Sequence, residues 1–185
     1  MDILDEAIIF ATKAHSGLLR KGTNTPYIFH PIEAAQIIAT ITDDREIMAA
    51  GVLHDILEES DFTEDDLKEK FGERVTKLVC ADSENKRREV SAEESWKVRK
   101  SETIDFVKNE ATREEKMVVL GDKLSNLRAI DRDFSVLGDK LWERFNQKEK
   151  SEHGWYYGSF VELLSEFEEF PVYQEYKRLV EKIFG

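Results

Sequence analysis

Apolar residues recur at intervals of three and four along most of this chain, the period of helices that bury one face. Ile3, Leu4, Ala7, Ile8, Ala11 and Ala14 form the first such stripe, which ends near His15 and Gly17 and leaves a loop from Gly17 to His30. Pro31 suits the first position of a second helix, where its missing N–H is not needed, and Ile32, Ala35, Ile38 and Ala39 continue it. Asp43 and Asp44 open a third helix, predicted to run unbroken through Ile47 to Glu59. Its AAGVLHDILEE segment is apolar enough to be buried on most sides. Thr63 with Asp66 caps two turns through Leu67, Lys70 and Phe71. Gly72 closes them in a left-handed conformation, and residues 74–81 make another short helix.

The stretch 82–94 is highly charged and reads as loop, leading to a helix that contains Trp96, Ile104 and Val107. Thr112 and Glu115 form a capping box ahead of MVVLGDKLSNLRAI, a second strongly apolar helix, and two more helices follow, the last entered at Pro171. The fold class is therefore all-α. Neither repeat nor linker divides the chain, and 185 residues suit a single domain over 1–185 better than two.

Composition narrows the function. The N-terminus carries Asp2, Asp5 and Glu6 rather than the basic start of a signal peptide, and no apolar run approaches the ~20 residues of a membrane span. A single cysteine, Cys80, excludes an internal disulfide and reads as a small core residue, so the expected location is cytoplasmic with no membrane partner. A net charge of −12 repels phosphate backbones, which argues against a nucleic-acid polymer as partner. A small anionic ligand stays compatible where a metal ion or clustered Arg and Lys reverses the local potential.

Three polar residues misfit their apolar helices. His54 and Asp55 interrupt one and Asp122 another, and a buried, unpaired carboxylate is costly unless a cation or hydrogen bonds compensate it. A shared metal ion resolves both intrusions, and His30, in the loop just before Pro31, supplies a fourth ligand. Two imidazoles and two carboxylates suit Mn²⁺, Fe²⁺ or Zn²⁺, while the lone cysteine excludes a thiolate site. Glu58 lies four residues after His54 and Glu59 four after Asp55, so each ligand has a carboxylate one turn along the same helix.

The motifs AHSGLLRKGTNTPYIFHP, VLHDILEES, FGERVTKLV and GDKLSNLR, in this order, resemble the HD-domain phosphohydrolases, and within them the RelA/SpoT-type and small alarmone hydrolases. The resemblance implies a compact multi-helix HD-domain bundle and Mn²⁺-dependent removal of the 3′-diphosphate from the nucleotide (p)ppGpp. It also implies His30, His54, Asp55 and Asp122 as metal ligands and Glu58 and Glu59 as the acids that position or deprotonate the attacking water. Asn126 would contact a ribose or phosphate oxygen, and Arg20 with Lys21 the nucleotide. Where that family has Glu, Asp, Thr, this chain has Glu58, Glu59 and Ser60, and residues 82–110 depart from the family pattern. Those departures favour a second reading, hydrolysis of another nucleotide or phosphate ester. A third is a non-catalytic nucleotide-binding module braced by metal.

Plainer readings stand beside some of these. Glu58 and Glu59 also begin an acidic, water-compatible run, and Arg20 and Lys21 are ordinary loop cations. His15 is expected to close the first helix. Trp96, Arg99 and Lys100 share a helical face suited to a base and phosphates, but an amphipathic packing helix is preferred. The aromatics of WYYGSF, Trp155 to Phe160, likewise read as core, with Tyr156 or Tyr157 the candidates to line the cleft.

Overall fold

Side-chain caps set four of the helix starts that the sequence predicts. In the computed structural model, which describes residues 1–84 and 89–185, Asp2 accepts from the Leu4 amide to open α1 (Ile3–Ala14). Asp44 accepts from the Glu46 and Ile47 amides to open α3 (Arg45–Leu53). Thr63 and Asp66 exchange hydrogen bonds at the head of α5 (Glu64–Asp82), and Thr112 and Glu115 do so at the head of α7 (Arg113–Leu137). Each such cap satisfies amides that have no partner within the helix, which typically stabilises by ~1 kcal/mol.

The remaining α-segments are α2 (Phe29–Ile38), α4 (Ile56–Glu59), α6 (Trp96–Asn109), α8 (Lys150–Leu163) and α9 (Pro171–Phe184), the last with Pro171 at its first position. Among the described residues there is no strand, only one isolated antiparallel bridge, Leu19 to Pro26. No described helix is long and apolar enough to cross a membrane. Part of the 82–94 loop expectation, residues 85–88, falls outside the described residues.

Two boundaries differ from the sequence reading. First, α2 starts at Phe29, two residues before Pro31, so His30 stands in the first turn of a helix and not in a loop. Proline is tolerated throughout a first turn because those amides have no intrahelical partner. Second, the helix expected from Asp43 to Glu59 breaks at His54 and Asp55, where Asp55 adopts φ −90°, ψ −1°. The cause is local: His54 Nδ1 donates to Gly51 O at 2.8 Å, the carbonyl that the Asp55 amide would use in an unbroken helix. The boundary at Gly72 falls where the sequence places it: Glu64–Asp82 is two helices that meet at a kink there, with Gly72 at positive φ.

Gly72 has φ 82° and ψ 170°, a combination essentially confined to glycine. Nothing lies within 4 Å of where a Cβ would sit, so Gly72→Ala meets a backbone cost and no clash. The expected loss is ~1–3 kcal/mol, read as a melting temperature lower by roughly 5 °C. An unchanged melt would show that the kink does not need this conformation.

By its internal contacts the chain forms two compact units interleaved in sequence, Met1–Ser83 with Ala111–Ser125, and Glu84–Glu110 with Asn126–Gly185. In the first, α1 and α2 pack on α3 and α3 on α5. Ala11, Ile38, Leu53, Ile56, Leu67 and Leu120 are fully buried there, each large aliphatic contributing ~1.5–3 kcal/mol. Gly121 lets α7 approach α2, since a Cβ would come 2.9 Å from Ala34 O.

In the second unit α6 and α9 pack on α8, with Leu127, Phe160, Phe167 and Tyr176 buried and the Tyr176 hydroxyl donating to Tyr157 O at 2.7 Å. Trp96 is buried against His153 and Tyr156, and Arg99 and Lys100 both reach Glu84 at 2.6 Å. Cys80 is half-buried rather than core, and burial with Glu64 nearby pushes its thiol up to about 11.

Candidate metal centre

Three helical segments of the first unit deliver four ligand atoms to one point. His30 Nε2, from the first turn of α2, lies 3.1 Å from His54 Nε2, 3.0 Å from Asp122 Oδ1 and 3.4 Å from Asp55 Oδ2. His54 Nε2, at the break between α3 and α4, lies 3.2 Å from Asp55 Oδ2 and 3.4 Å from Asp122 Oδ1. All four sequence-predicted ligands are therefore brought together, and His30, His54 and Asp122 are buried.

The hydrogen bonds behind the two rings fix what their front atoms present. Gly51 O only accepts, so His54 carries its proton on Nδ1 and turns a lone pair forward at Nε2. Ser125 Oγ donates to Glu33 Oε2 at 2.8 Å and so accepts from His30 Nδ1 at 2.9 Å, which leaves His30 Nε2 unprotonated as well. Two lone pairs and two carboxylate oxygens then face one another with no proton between them, an arrangement that calls for a cation. Ligand bonds of about 2.0–2.2 Å place neighbouring donor atoms about 2.8–3.1 Å apart in octahedral and about 3.3–3.6 Å apart in tetrahedral geometry, a range that spans the spacings seen here. His30, His54 and Asp122 can hold a metal ion, and Asp55 Oδ2 lies 3.4 and 3.2 Å from the two imidazole nitrogens.

The electrostatics agree. Burial opposes charge on both imidazoles and lowers His30, but for His54 the carboxylates of Asp55 and Asp122 outweigh burial and raise it. Burial would raise Asp55 and Asp122, yet His54 beside Asp55, and Lys123 with both histidines beside Asp122, hold these carboxyls well below the usual range.

Lys123, buried beside Asp122 on α7, donates to Asp122 Oδ2 at 2.5 Å and to Asp82 Oδ1 at 3.0 Å. Asp122 thus places one oxygen on a fixed ammonium and the other toward the imidazoles. Burial pushes Asp82 up to about 6 although Lys123 opposes the rise.

Tyr27 donates to Asp55 Oδ2 at 2.7 Å, and burial together with that carboxylate raises its pKa far above an ordinary phenol, so the hydroxyl remains a donor. His15 caps α1 with its backbone as expected. Its imidazole is buried with neither nitrogen hydrogen-bonded, and it feels the charges of Asp55 and Glu59.

Of the predicted acids, Glu58 is half-buried and Glu59 exposed. Their amides bond Asp55 O at 3.1 and 2.9 Å, so both stand one turn from Asp55, while the break removes the same relation to His54. Arg20 and Lys21 sit on a tight turn closed by the Arg20 amide on Thr25 O and the Tyr27 amide on Leu18 O. Asn126 follows Asp122 by one turn on α7 and is part-exposed, in the second unit's share of that helix.

Sequence reasoning missed Tyr27, Glu33, Asp82, Lys123 and Ser125. Lys123 carried a signal, a second charge in the same apolar helix as Asp122. Tyr27 stands three residues before His30, but nothing in its type marks a partner 28 positions away.

The fold and this histidine–aspartate centre define a class, and comparison agrees: the HD domain family pattern matches residues 7–147, and the chain belongs to that family. It is 33% identical over 134 residues to zebrafish (Danio rerio) guanosine-3′,5′-bis(diphosphate) 3′-pyrophosphohydrolase MESH1, which covers 70% of each chain. It is also 33% identical over 135 residues to a Myxococcus xanthus protein named GTP pyrophosphokinase, covering 71% of this chain but only 17% of that relative. Among solved structures, lmo0812 from Listeria monocytogenes EGD-e matches with a TM-score of 0.72 and 32% identity over 84% of this chain and 98% of the other.

Proposed function

We propose that this protein is a Mn²⁺-dependent hydrolase that removes the 3′-diphosphate of (p)ppGpp, giving GDP or GTP and pyrophosphate. The observation that carries the reading is the set of four acceptor atoms from His30, His54, Asp55 and Asp122: the two imidazole nitrogens are 3.1 Å apart and each carboxylate oxygen lies 3.0–3.4 Å from both. The similarity to MESH1, whose name states this reaction, supports the substrate. Matched residues 7–147 run through both interleaved units, which supports reading 1–185 as one domain. A single cysteine is in keeping with a cytoplasmic location.

A divalent ion held by these four residues supplies an acidified water and a Lewis acid for the phosphoryl oxygen. The chain's own groups do the rest. Glu58 and Glu59, one turn from Asp55, hold the attacking water and take its proton. Arg20 and Lys21 meet the anionic nucleotide, and Asn126 hydrogen-bonds a ribose or phosphate oxygen. Water oxygen joins the phosphorus bound to the 3′ oxygen, that ester bond breaks, the 3′ oxygen is protonated and pyrophosphate leaves.

Incubating the protein with Mn²⁺ and ppGpp tests this: GDP and pyrophosphate in equal amounts are expected, and neither product would overturn the substrate assignment. Glu58→Gln and Glu59→Gln separate the acids, since losing a general base typically costs ~10²–10⁴-fold in kcat. The variant with that loss identifies the proton acceptor; if both stay within threefold of the parent, the acid-pair assignment is wrong. The Glu58–Glu59–Ser60 departure favours a second reading, another nucleotide or phosphate ester as substrate. Turnover of a mononucleotide with ppGpp left intact would establish it.

A further inference from the structure

We infer that Tyr27 is a positioning residue that ties the basic loop to the metal centre, holding Asp55 through its hydroxyl and Arg20 through its ring; this rests on the hydrolase reading above. The hydroxyl donates at 2.7 Å to Asp55 Oδ2, the same oxygen that faces His54 at 3.2 Å and His30 at 3.4 Å. A carboxylate rotates freely unless something holds it, and this bond selects which oxygen turns toward the imidazoles. A donor on an oxygen that faces the metal also withdraws electron density from it, as the groups behind metal ligands generally do.

The ring has a second task. The Arg20 guanidinium lies 5.4 Å from its centroid, within cation–π range, and His15 packs at 5.0 Å with His30 edge-on at 6.1 Å. Two backbone bonds, Tyr27 N to Leu18 O at 2.9 Å and Arg20 N to Thr25 O at 2.8 Å, fix both residues on one turn. One side chain thereby sets the distance between a phosphate-binding cation and the ligand carboxylate. That distance decides where an anionic group held by Arg20 falls relative to the metal centre.

Hydroxyl and ring can be separated. Tyr27→Phe deletes the hydroxyl and keeps the ring, while Tyr27→Leu deletes both. With Mn²⁺ binding followed by titration calorimetry and ppGpp hydrolysis at saturating Mn²⁺, Tyr27→Phe is expected to weaken Mn²⁺ at least ~10-fold and to lower kcat with KM little changed. Tyr27→Leu should add a KM increase of about two- to fivefold from the lost stacking. Mn²⁺ affinity unchanged in Tyr27→Phe, or equal KM increases in both variants, would overturn the inference.

Should Tyr27→Leu fail to fold, Arg20→Gln takes its place. Its expected signature is a raised KM with unchanged Mn²⁺ affinity, and a weakened Mn²⁺ affinity there would contradict the division of roles. If the parent protein binds Mn²⁺ and leaves ppGpp intact, the substrate reading fails and the Arg20 half falls with it. The Asp55 half is then still decided by the calorimetry alone.

Discussion

Asp122→Asn is expected to lower Mn²⁺-dependent turnover of ppGpp by well over the ~100-fold seen when only a group behind a ligand is lost. The substitution keeps the shape and an oxygen able to accept from Lys123, and Lys123 keeps Asp82 at 3.0 Å. What disappears is the negative charge of the Asp122 oxygen that stands 3.0 Å from His30 Nε2 and 3.4 Å from His54 Nε2. Burial already opposes charge at this position, so the parent side chain stays ionised only because Lys123 and the two histidines hold it so. Steady-state kinetics check this, and turnover within tenfold of the parent would remove Asp122 from the ligand set.

Lys123→Met is expected to be the most destabilising substitution in the site. Met fills similar space but leaves two buried carboxylates, Asp82 and Asp122, without their shared cation, and stranding one partner of a buried pair costs ~3–5 kcal/mol. For a chain of this length that lowers the melting temperature by on the order of 10 °C.

The pH dependence has a definite sign. Asp82, raised to about 6 by burial against the pull of Lys123, contributes stability that is present below the unfolded carboxyl pKa and lost as pH rises through 6. Asp122, held low, contributes stability above the unfolded value that is lost as pH falls. Lys123 favours the ionised form of both, so the deficit of Lys123→Met relative to the parent should be largest at neutral pH and shrink toward pH 5. A deficit that does not change between pH 7 and 5 would show that the ammonium acts through packing alone.

Much of this was legible in the sequence because misfits are legible. A histidine and an aspartate inside AAGVLHDILEE, and an aspartate inside MVVLGDKLSNLRAI, violate the apolar pattern around them, and burial leaves few ways to satisfy such groups. Caps at Asp44, Thr63 and Thr112 were equally readable, since their partners lie two or three residues away.

What failed depended on side chains competing with the backbone or on distant partners. The break at His54 follows from an imidazole taking the Gly51 carbonyl, which helical periodicity cannot report. Position 30 was placed in a loop because Pro31 was assigned the first helical position, while the two residues before it already turn through Phe29 N to Pro26 O and His30 N to Tyr27 O. Two groups that orient the ligands come from 28 and 95 positions away, Tyr27 on Asp55 and Ser125 on His30, and only the folded chain brings them together.

The central claim is that His30, His54, Asp55 and Asp122 converge on one divalent ion. Equilibrium titration of the metal-free protein with Mn²⁺, repeated on His30→Ala, His54→Ala, Asp55→Asn and Asp122→Asn, tests it most directly. One Mn²⁺ per chain in the parent and loss of that site in each variant is the predicted result. No stoichiometric binding in the parent, or full binding retained in any of the four variants, would contradict it.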